Sequence, residues 1–301
     1  MTGRLERYFK NNAKTASFGI KYLDDKLRGI LKGDLILIGA RSGSGKSTIA
    51  DIIATHNSKQ GKNVTLISLE NFEDDNFVTK AYYKYKELTG NWSLNLRDFA
   101  SGDFQDNVFN NLKVAEEYAE SEYKNINLIN RQKNYTVENL KEDIVRAVEN
   151  QSSDLVILDH VDYLDKMDNE SEITHITRIM KEIRNAQYAF KVPVIAISHL
   201  RKPSSSKIDA IVPSLDEFIG SSNKVKESTV VIMLAPDDET NTLSESHLRA
   251  TWCCIRKLRM GGIDNTAAKI FFDIKTGKYT DDYKIYNVNY SGTRVEERIR
   301  F

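Results

Sequence analysis

The sequence predicts an α/β fold, a mostly parallel central sheet flanked by helices, and three observations carry that prediction. Short apolar, β-branched runs alternate with longer helical segments from residue 34 onward. The runs are apolar throughout rather than alternating, which is the pattern of strands covered on both faces. A glycine-rich turn links the first run directly to a helix, as a strand-to-helix connection in such a sheet requires. In chain order, residues 3–12 (GRLERYFKNN) form a short helix that puts Leu5, Tyr8 and Phe9 on one face. The strands are DLILIGA (34–40), NVTLISLE (63–70), DLVILDHV (154–161), VPVIAIS (192–198), STVVIML (228–234), TWCCIRK (251–257) and AKIFFDI (268–274). A helix runs from Ser47 to about His56, and residues 76–125 are mostly helical, interrupted by GNWSLN and SGDF. Residues 136–150 form an amphipathic helix capped by Thr136, and residues 171–190 form another. No repeat, low-complexity tract or interdomain linker divides the chain. One domain over residues 17–301 is expected, preceded by an N-terminal arm, residues 1–16.

Composition bounds the function classes. A hydrophobic share of 40% is enough to build a core and excludes global disorder. No stretch approaches the roughly 18 apolar residues of a membrane span. The N-terminal segment lacks the apolar region of a secretory signal and carries Glu6, so it makes a poor transit peptide too. The only two cysteines, Cys253 and Cys254, are adjacent, which rules out a disulfide framework and points to a reducing, cytoplasmic compartment. With 43 Lys+Arg against 43 Asp+Glu the net charge is zero. Any nucleic-acid surface must therefore be local rather than a basic field over the whole molecule.

The strongest chemical signal is ARSGSGKST, residues 40–48, between the first strand and its helix. A phosphate loop has a Gly, four variable residues, then Gly-Lys-Ser/Thr. Gly45, Lys46 and Ser47 match, Ala40 replaces the first Gly, and Gly39 sits one position early. Gly43 and Gly45 permit the backbone to turn successive N–H groups toward phosphate oxygens. The whole stretch Ala40, Arg41, Ser42, Gly43, Ser44, Gly45, Lys46, Ser47 and Thr48 is therefore expected to cradle a nucleotide, with Lys46 on the terminal phosphates and Ser47 on Mg²⁺. Asp159 closes the third strand, where a carboxylate can hold the same Mg²⁺; alone, an acid ending a strand is commonly structural. Glu70 closes the second strand and could activate water as a general base. Its rivals in ENFEDD are Glu73, Asp74 and Asp75, or it is a solvated loop acid. His199 ends the fourth strand and could read the γ-phosphate, although a lone histidine is more often a packing residue. RKLRMGG (256–262) sets Lys257 and Arg259 on one side of an extended chain. That pair suits a phosphate, including one held by a neighbouring subunit, or else is a solvated basic edge.

Taken in this order, the motifs resemble the RecA-like ATPase domain of the DnaB-like replicative helicases. SFGIKYLDDKLRGILKGDLILIGARSGSGKS (17–47) is similar to that family's entry segment, in which Ala40 is usual. SLE (68–70) resembles the segment carrying the catalytic base, VILDHVDYL (156–164) the magnesium strand, and IRKLRMGG (255–262) the segment carrying an arginine finger. The resemblance thus implies Glu70 as base, Asp159 as metal ligand and Arg259, beside Lys257, as a finger acting on the neighbouring subunit's nucleotide. SHLRKP (198–203) puts His199 where the family often has Gln, a feature closer in style to phage primase-helicases and the mitochondrial Twinkle helicase. SLDEFIGSSNKVKESTVVIML (214–234) is similar to a further family segment, but Glu227-Ser228-Thr229 stands where Ala-Asp is usual. The implied function is an ATP- and Mg²⁺-dependent helicase or translocase on single-stranded DNA, a homo-oligomeric and hexameric ring in DNA replication of phage or plasmid type. Primase or other replisome proteins are implied further partners. Channel-lining loops are expected near 165–175 and 201–213, the second offering Arg201, Lys202 and Lys207 to DNA. No primase or helical domain is expected before residue 17, and residues 1–16 resemble a remnant of the family's linker helix. Two rival readings are a RecA- or KaiC-like recombination or regulatory ATPase, and an ATP-switched helicase loader or adaptor without unwinding activity.

Overall fold

The computed structural model describes residues 3–11, 13–71, 74–105, 109–130, 134–201, 211–218, 220–243, 247–262, 266–289, 292 and 295–297. The elements begin with α1 (Arg4–Asn11), β1 (Lys14–Ala16), α2 (Lys21–Leu27), β2 (Ile30–Leu31), β3 (Leu35–Ala40), α3 (Lys46–Lys59), β4 (Val64–Ser68) and α4 (Asp75–Thr89). They continue with α5 (Leu96–Ser101), α6 (Phe109–Tyr123), β5 (Ile126–Asn130), α7 (Val137–Glu149), β6 (Leu155–Asp159), α8 (Glu172–Phe190) and β7 (Val194–His199). The remainder is α9 (Ser221–Glu227), β8 (Val230–Pro236), α10 (Asp238–Leu243), β9 (Leu248–Leu258), β10 (Thr266–Asp273), β11 (Lys278–Val288) and β12 (Val295–Glu297). Local chemistry sets several boundaries. The Thr136 hydroxyl and the Asn139 side chain cap each other's backbone N–H at the start of α7, and Ser171 accepts from the Thr174 N–H at the start of α8. Each such cap contributes about 1 kcal/mol.

Ten strands form one sheet in the order β12-β11-β10-β9-β8-β3-β7-β6-β4-β5. The six from β8 to β5 pair in parallel. The four strands β9 to β12 extend the sheet antiparallel. The expected strands 251–257 and 268–274 are thus real but lie outside the parallel core, because an apolar run does not encode its direction. Strand β5, where helix was expected up to residue 125 and nothing was assigned beyond it, pairs with β4 at the sheet's edge. Strands β11 and β12 and the small β1–β2 pair carry mixed polar residues and have no comparable apolar run.

Both faces of the parallel core are buried, as the unbroken apolar runs require. In β3, Ile36 and Ile38 point to the side covered by α2 and α3, while Leu35 and Leu37 point to the side covered by α7 and α8. Each fully buried aliphatic side chain of this kind contributes about 1.5–3 kcal/mol. Register then decides what the sheet presents: Ala40 lies beside His199 and Leu234, and Ser68 beside Asp159. The carboxyl ends of these parallel strands share one rim, the place where open α/β sheets bind ligands.

Gly39 has a packing task rather than a phosphate one. A Cβ there would enter the Phe218 ring and stand 2.8 Å from Leu200 Cδ2. Gly39→Ala is expected to destabilise the protein by about 1–3 kcal/mol through overpacking. Urea denaturation measures this, and an unchanged midpoint would contradict the assignment.

Candidate functional site

The loop after β3 rises from the rim and turns into α3. Its backbone is held at both ends: the Arg41 N–H donates to Leu234 O at 3.1 Å, and the Ser44 N–H donates to Arg41 O at 3.2 Å. The Ser44 hydroxyl also donates to Arg41 O, at 2.7 Å, so that side chain turns into the loop. Gly43 and Gly45 have φ of 78° and 76°, left-handed values that side chains rarely adopt, and no atom lies within 4 Å of a Cβ placed on Gly43. The loop is therefore open above and strained against substitution. Lys46, Ser47 and Thr48 form the first turn of α3, whose N-terminal amides add a partial positive charge. Arg41 has a different engagement from the expected one. Its guanidinium pairs with the buried Glu217 carboxylate, Nε to Oε2 at 2.8 Å and Nη2 to Oε1 at 2.9 Å, anchoring the loop to the segment after β7.

Asp159 ends β6 only 2% exposed. Burial raises its pKa, opposed chiefly by a hydrogen bond from the Ser47 hydroxyl. Its Oδ1 is buried without a hydrogen-bond partner. A shut-in carboxylate oxygen next to a helix-start serine is the donor set a hard, oxygen-loving dication needs, and these residues fit Mg²⁺. Glu70 lies just past β4, where the Leu69 N–H donates to Asp159 O at 2.6 Å and draws the two strand ends together. Glu70 is exposed but reaches the strand ends: Oε2 stands 3.5 Å from His160 Nε2. Asp75 opens α4, and Glu73 lies outside the described residues. His199 ends β7 with its ring edge-on to His160, centroids 4.0 Å apart. Burial first, then His160 and Lys46, depress its pKa, so its imidazole is neutral at neutral pH.

Three residues that sequence reasoning did not single out organise this cluster. His160 is 1% exposed and directly follows Asp159. Asp162 receives the His199 N–H at 2.7 Å, stands 3.4 Å from His160 Nδ1 and pairs with the wholly buried Lys224 ammonium at 2.5 Å. Lys224 also donates to the Ser198 hydroxyl at 2.8 Å. Burial alone would raise the Asp162 pKa; the His160 ring, the Lys224 ammonium and the His199 amide outweigh it and hold the carboxyl far below the usual range. Asp162 is thus ionised throughout the neutral range. The signal available in sequence was a His-x-Asp directly after a strand, and nothing marked Lys224 as its partner.

Lys257 and Arg259 are brought together as expected, but far from this rim. The Lys257 ammonium donates to the Val225 and Lys226 carbonyls and the Arg259 Nη2 to Lys226 O at 3.1 Å, all at the end of α9. Leu258 lies opposite Val230, whereas Ala40 lies beside Leu234, so Arg259 sits at the other end of β8, about 13 Å or more along the strand. Arg259 is exposed there, and Arg184 adds a third positive charge nearby. Arg201 is exposed, its N–H donating to Glu217 O at 2.8 Å, while Lys202 and Lys207 lie outside the described residues.

Lys224→Met removes the partner of a buried charge and is expected to lose about 3–5 kcal/mol in urea denaturation. Asp162→Leu combined with it should recover most of that loss. A single variant as stable as the parent would contradict the pairing.

Comparison with known proteins follows the same lines. The family model described as DnaB-like helicase C terminal domain matches residues 16–281. A "Probable replicative DNA helicase" of Trieres chinensis is 24% identical over 272 residues, covering 88% of this chain and 57% of that protein. The replicative DNA helicase DnaB of Helicobacter pylori is 23% identical over 221 residues, covering 72% of this chain and 42% of that protein. The chain spans about half the length of these curated relatives. Among solved structures, one ATPase domain matches with a TM-score of 0.71 at 22% identity, covering 91% of this chain and 94% of the other. A DnaB-like replicative helicase solved for its interactions with primase matches with a TM-score of 0.71 at 21% identity, covering 91% and 63%. These likenesses give the fold as RecA-like, and the match over residues 16–281 places the chain in the DnaB-like helicase C-terminal domain family.

Proposed function

We propose that this chain is an ATP-hydrolysing motor that moves along single-stranded DNA in replication, working as a homo-oligomeric, hexameric ring. One observation carries the reading: two groups of residues suited to phosphate lie at opposite ends of the parallel strands. One rim gathers Lys46, Ser47, Asp159, Glu70 and His199, while Lys257 and Arg259 lie at the other end of β8 and cannot reach it. If that pair binds a nucleotide phosphate, it must be a neighbour's, because its own chain's cradle is out of reach. Residues 1–16 form an arm in this scheme and 17–301 the core. In that arm Leu5 and Phe9 are 69% and 64% exposed, and the Tyr8 hydroxyl donates to Met260 Sδ at 2.9 Å, next to Arg259. An apolar helix face at the same end as the finger suits packing on an adjacent subunit.

At the rim, the amides of Gly43 and of Gly45 to Thr48 and the Lys46 ammonium bind the β- and γ-phosphates. Ser47 and Asp159 hold Mg²⁺, which when bound neutralises phosphate charge. A cleft lined by Ser47, Thr48, Asn71, Asn76 and Tyr83 opens beside the loop. Glu70 takes the proton of the attacking water, and Arg259 of the adjacent subunit stabilises charge on the transferring phosphoryl group. Neutral His199 bonds the γ-phosphate and passes its presence to Leu200 and Arg201, and DNA is contacted by Arg201 with Lys202 and Lys207, the latter two outside the described residues. Primase or other replisome proteins are its partners on this reading, and the cytoplasm its place. The two cysteines are free and buried, in keeping with a reducing compartment. Among the described residues no helix is long and apolar enough to cross a membrane.

ATPase rate measured with and without single-stranded DNA, alongside mass photometry, tests the whole reading. A ring whose rate rises with DNA is expected. Nucleotide-dependent assembly with no response to DNA would favour a loader or regulatory ATPase. Glu70→Gln is expected to lower kcat about 10²–10⁴-fold while ATP still binds. Arg259→Ala alone should lose about 10³–10⁵ in rate, and mixing it with Lys46→Ala chains should restore part of the activity. No rescue on mixing would remove the shared site.

A further inference from the structure

We infer that Glu70, His160 and His199 form a binding site for a soft divalent cation, Zn²⁺ foremost, distinct from the Mg²⁺ position between Ser47 and Asp159. Each of the three residues offers one ligand atom, and the three atoms lie within 4.8 Å of one another. Glu70 Oε2 and His160 Nε2 are 3.5 Å apart. Two ligands on a tetrahedral ion with bonds of about 2.0–2.1 Å are separated by roughly 3.3–3.4 Å, so this pair needs almost no movement to share one.

The second observation is His160 itself. It is 1% exposed, and its Nε2, on the side of Glu70, has no hydrogen-bond partner. A buried imidazole left in that condition needs an explanation, and a cation at Nε2 supplies one. Its other nitrogen, Nδ1, faces Asp162 Oδ2 at 3.4 Å. A carboxylate on the far side of a ligating histidine fixes the tautomer and ring orientation, leaving the Nε2 lone pair for the metal. Asp162 is in turn held by Lys224. The arrangement is therefore a ligand with its supporting shell already built.

Ligand chemistry separates the two cations. Two imidazoles and one carboxylate suit Zn²⁺, Co²⁺ or Ni²⁺, whereas a serine hydroxyl and an aspartate suit Mg²⁺. Glu70 is one-third exposed along its side chain and His199 is partly exposed, so the cluster is open to solvent on that side. A cation here engages the Glu70 carboxylate and withholds it from water. On the reading of Glu70 as base, Zn²⁺ is then an inhibitor of hydrolysis that acts from within the pocket.

The test begins without nucleotide, on the full chain, in excess Mg²⁺. Co²⁺ is titrated in while its visible absorption is followed, and Zn²⁺ is then added. Saturation at one Co²⁺ per chain with displacement by Zn²⁺ is expected. Glu70→Gln and His199→Gln, both at partly exposed positions, should each weaken binding at least about ten-fold, and His160→Gln likewise. No saturable binding, or binding unchanged in both Glu70→Gln and His199→Gln, overturns the site. ATPase measured with and without Zn²⁺ forms a separate arm. Inhibition reversed by a chelator supports the regulatory consequence. Co²⁺ binding with hydrolysis untouched by Zn²⁺ would keep the metal site and remove Glu70 as the base.

Discussion

The ion pair between Asp162 and Lys224 is the contact that the site depends on. One carboxylate takes the His199 amide, faces the His160 ring and holds an ammonium with no exposure to water. Lys224 belongs to α9, whose last carbonyls receive Lys257 and Arg259. The rim that holds the glycine-rich loop after β3 and the far edge that holds the basic pair are therefore joined through one buried charge and one seven-residue helix. A buried pair is weak support for stability in general, because desolvating both ions offsets most of their attraction. Its value here is positional: it ties the His199 amide, the His160 ring and α9 to one carboxylate.

The parallel register supplies the rest. Strands β4 and β6 end together at Ser68 and Asp159, and β3 and β7 at Ala40 and His199. Four residues far apart in sequence meet because the strands that carry them start level and run alike. The antiparallel strand β9 does the opposite, returning along β8 and leaving Arg259 at the start of it. Zero net charge is compatible with this division, since Lys257, Arg259 and Arg184 form a local basic group at one end.

What could be read from the sequence was local. Gly43, Gly45, Lys46 and Ser47 are neighbours in the chain and their chemistry follows from adjacency, while Asp159, Glu70 and His199 are marked by closing apolar runs. Lys224 was hidden because its partner lies 62 residues away, and Glu217 because Arg41 lies 176 residues away. His160 was hidden by its position, one residue past an acid that already had a reading. Strand direction was also out of reach: TWCCIRK and VPVIAIS look alike, yet one runs antiparallel and the other parallel. Strand β5, an edge strand carrying Asn127 and Asn130, lacks the apolar density that identifies a central one.

The most direct measurement is a structure of the assembled chain with Mg²⁺ and a transition-state analogue of ATP. The expected result is the Arg259 guanidinium of one subunit within hydrogen-bond reach of the γ-phosphate position held by Lys46 of the next, with Glu70 of that next subunit on the attacking water. A nucleotide enclosed by a single chain, with Arg259 facing solvent in every subunit, would contradict a centre built from two copies.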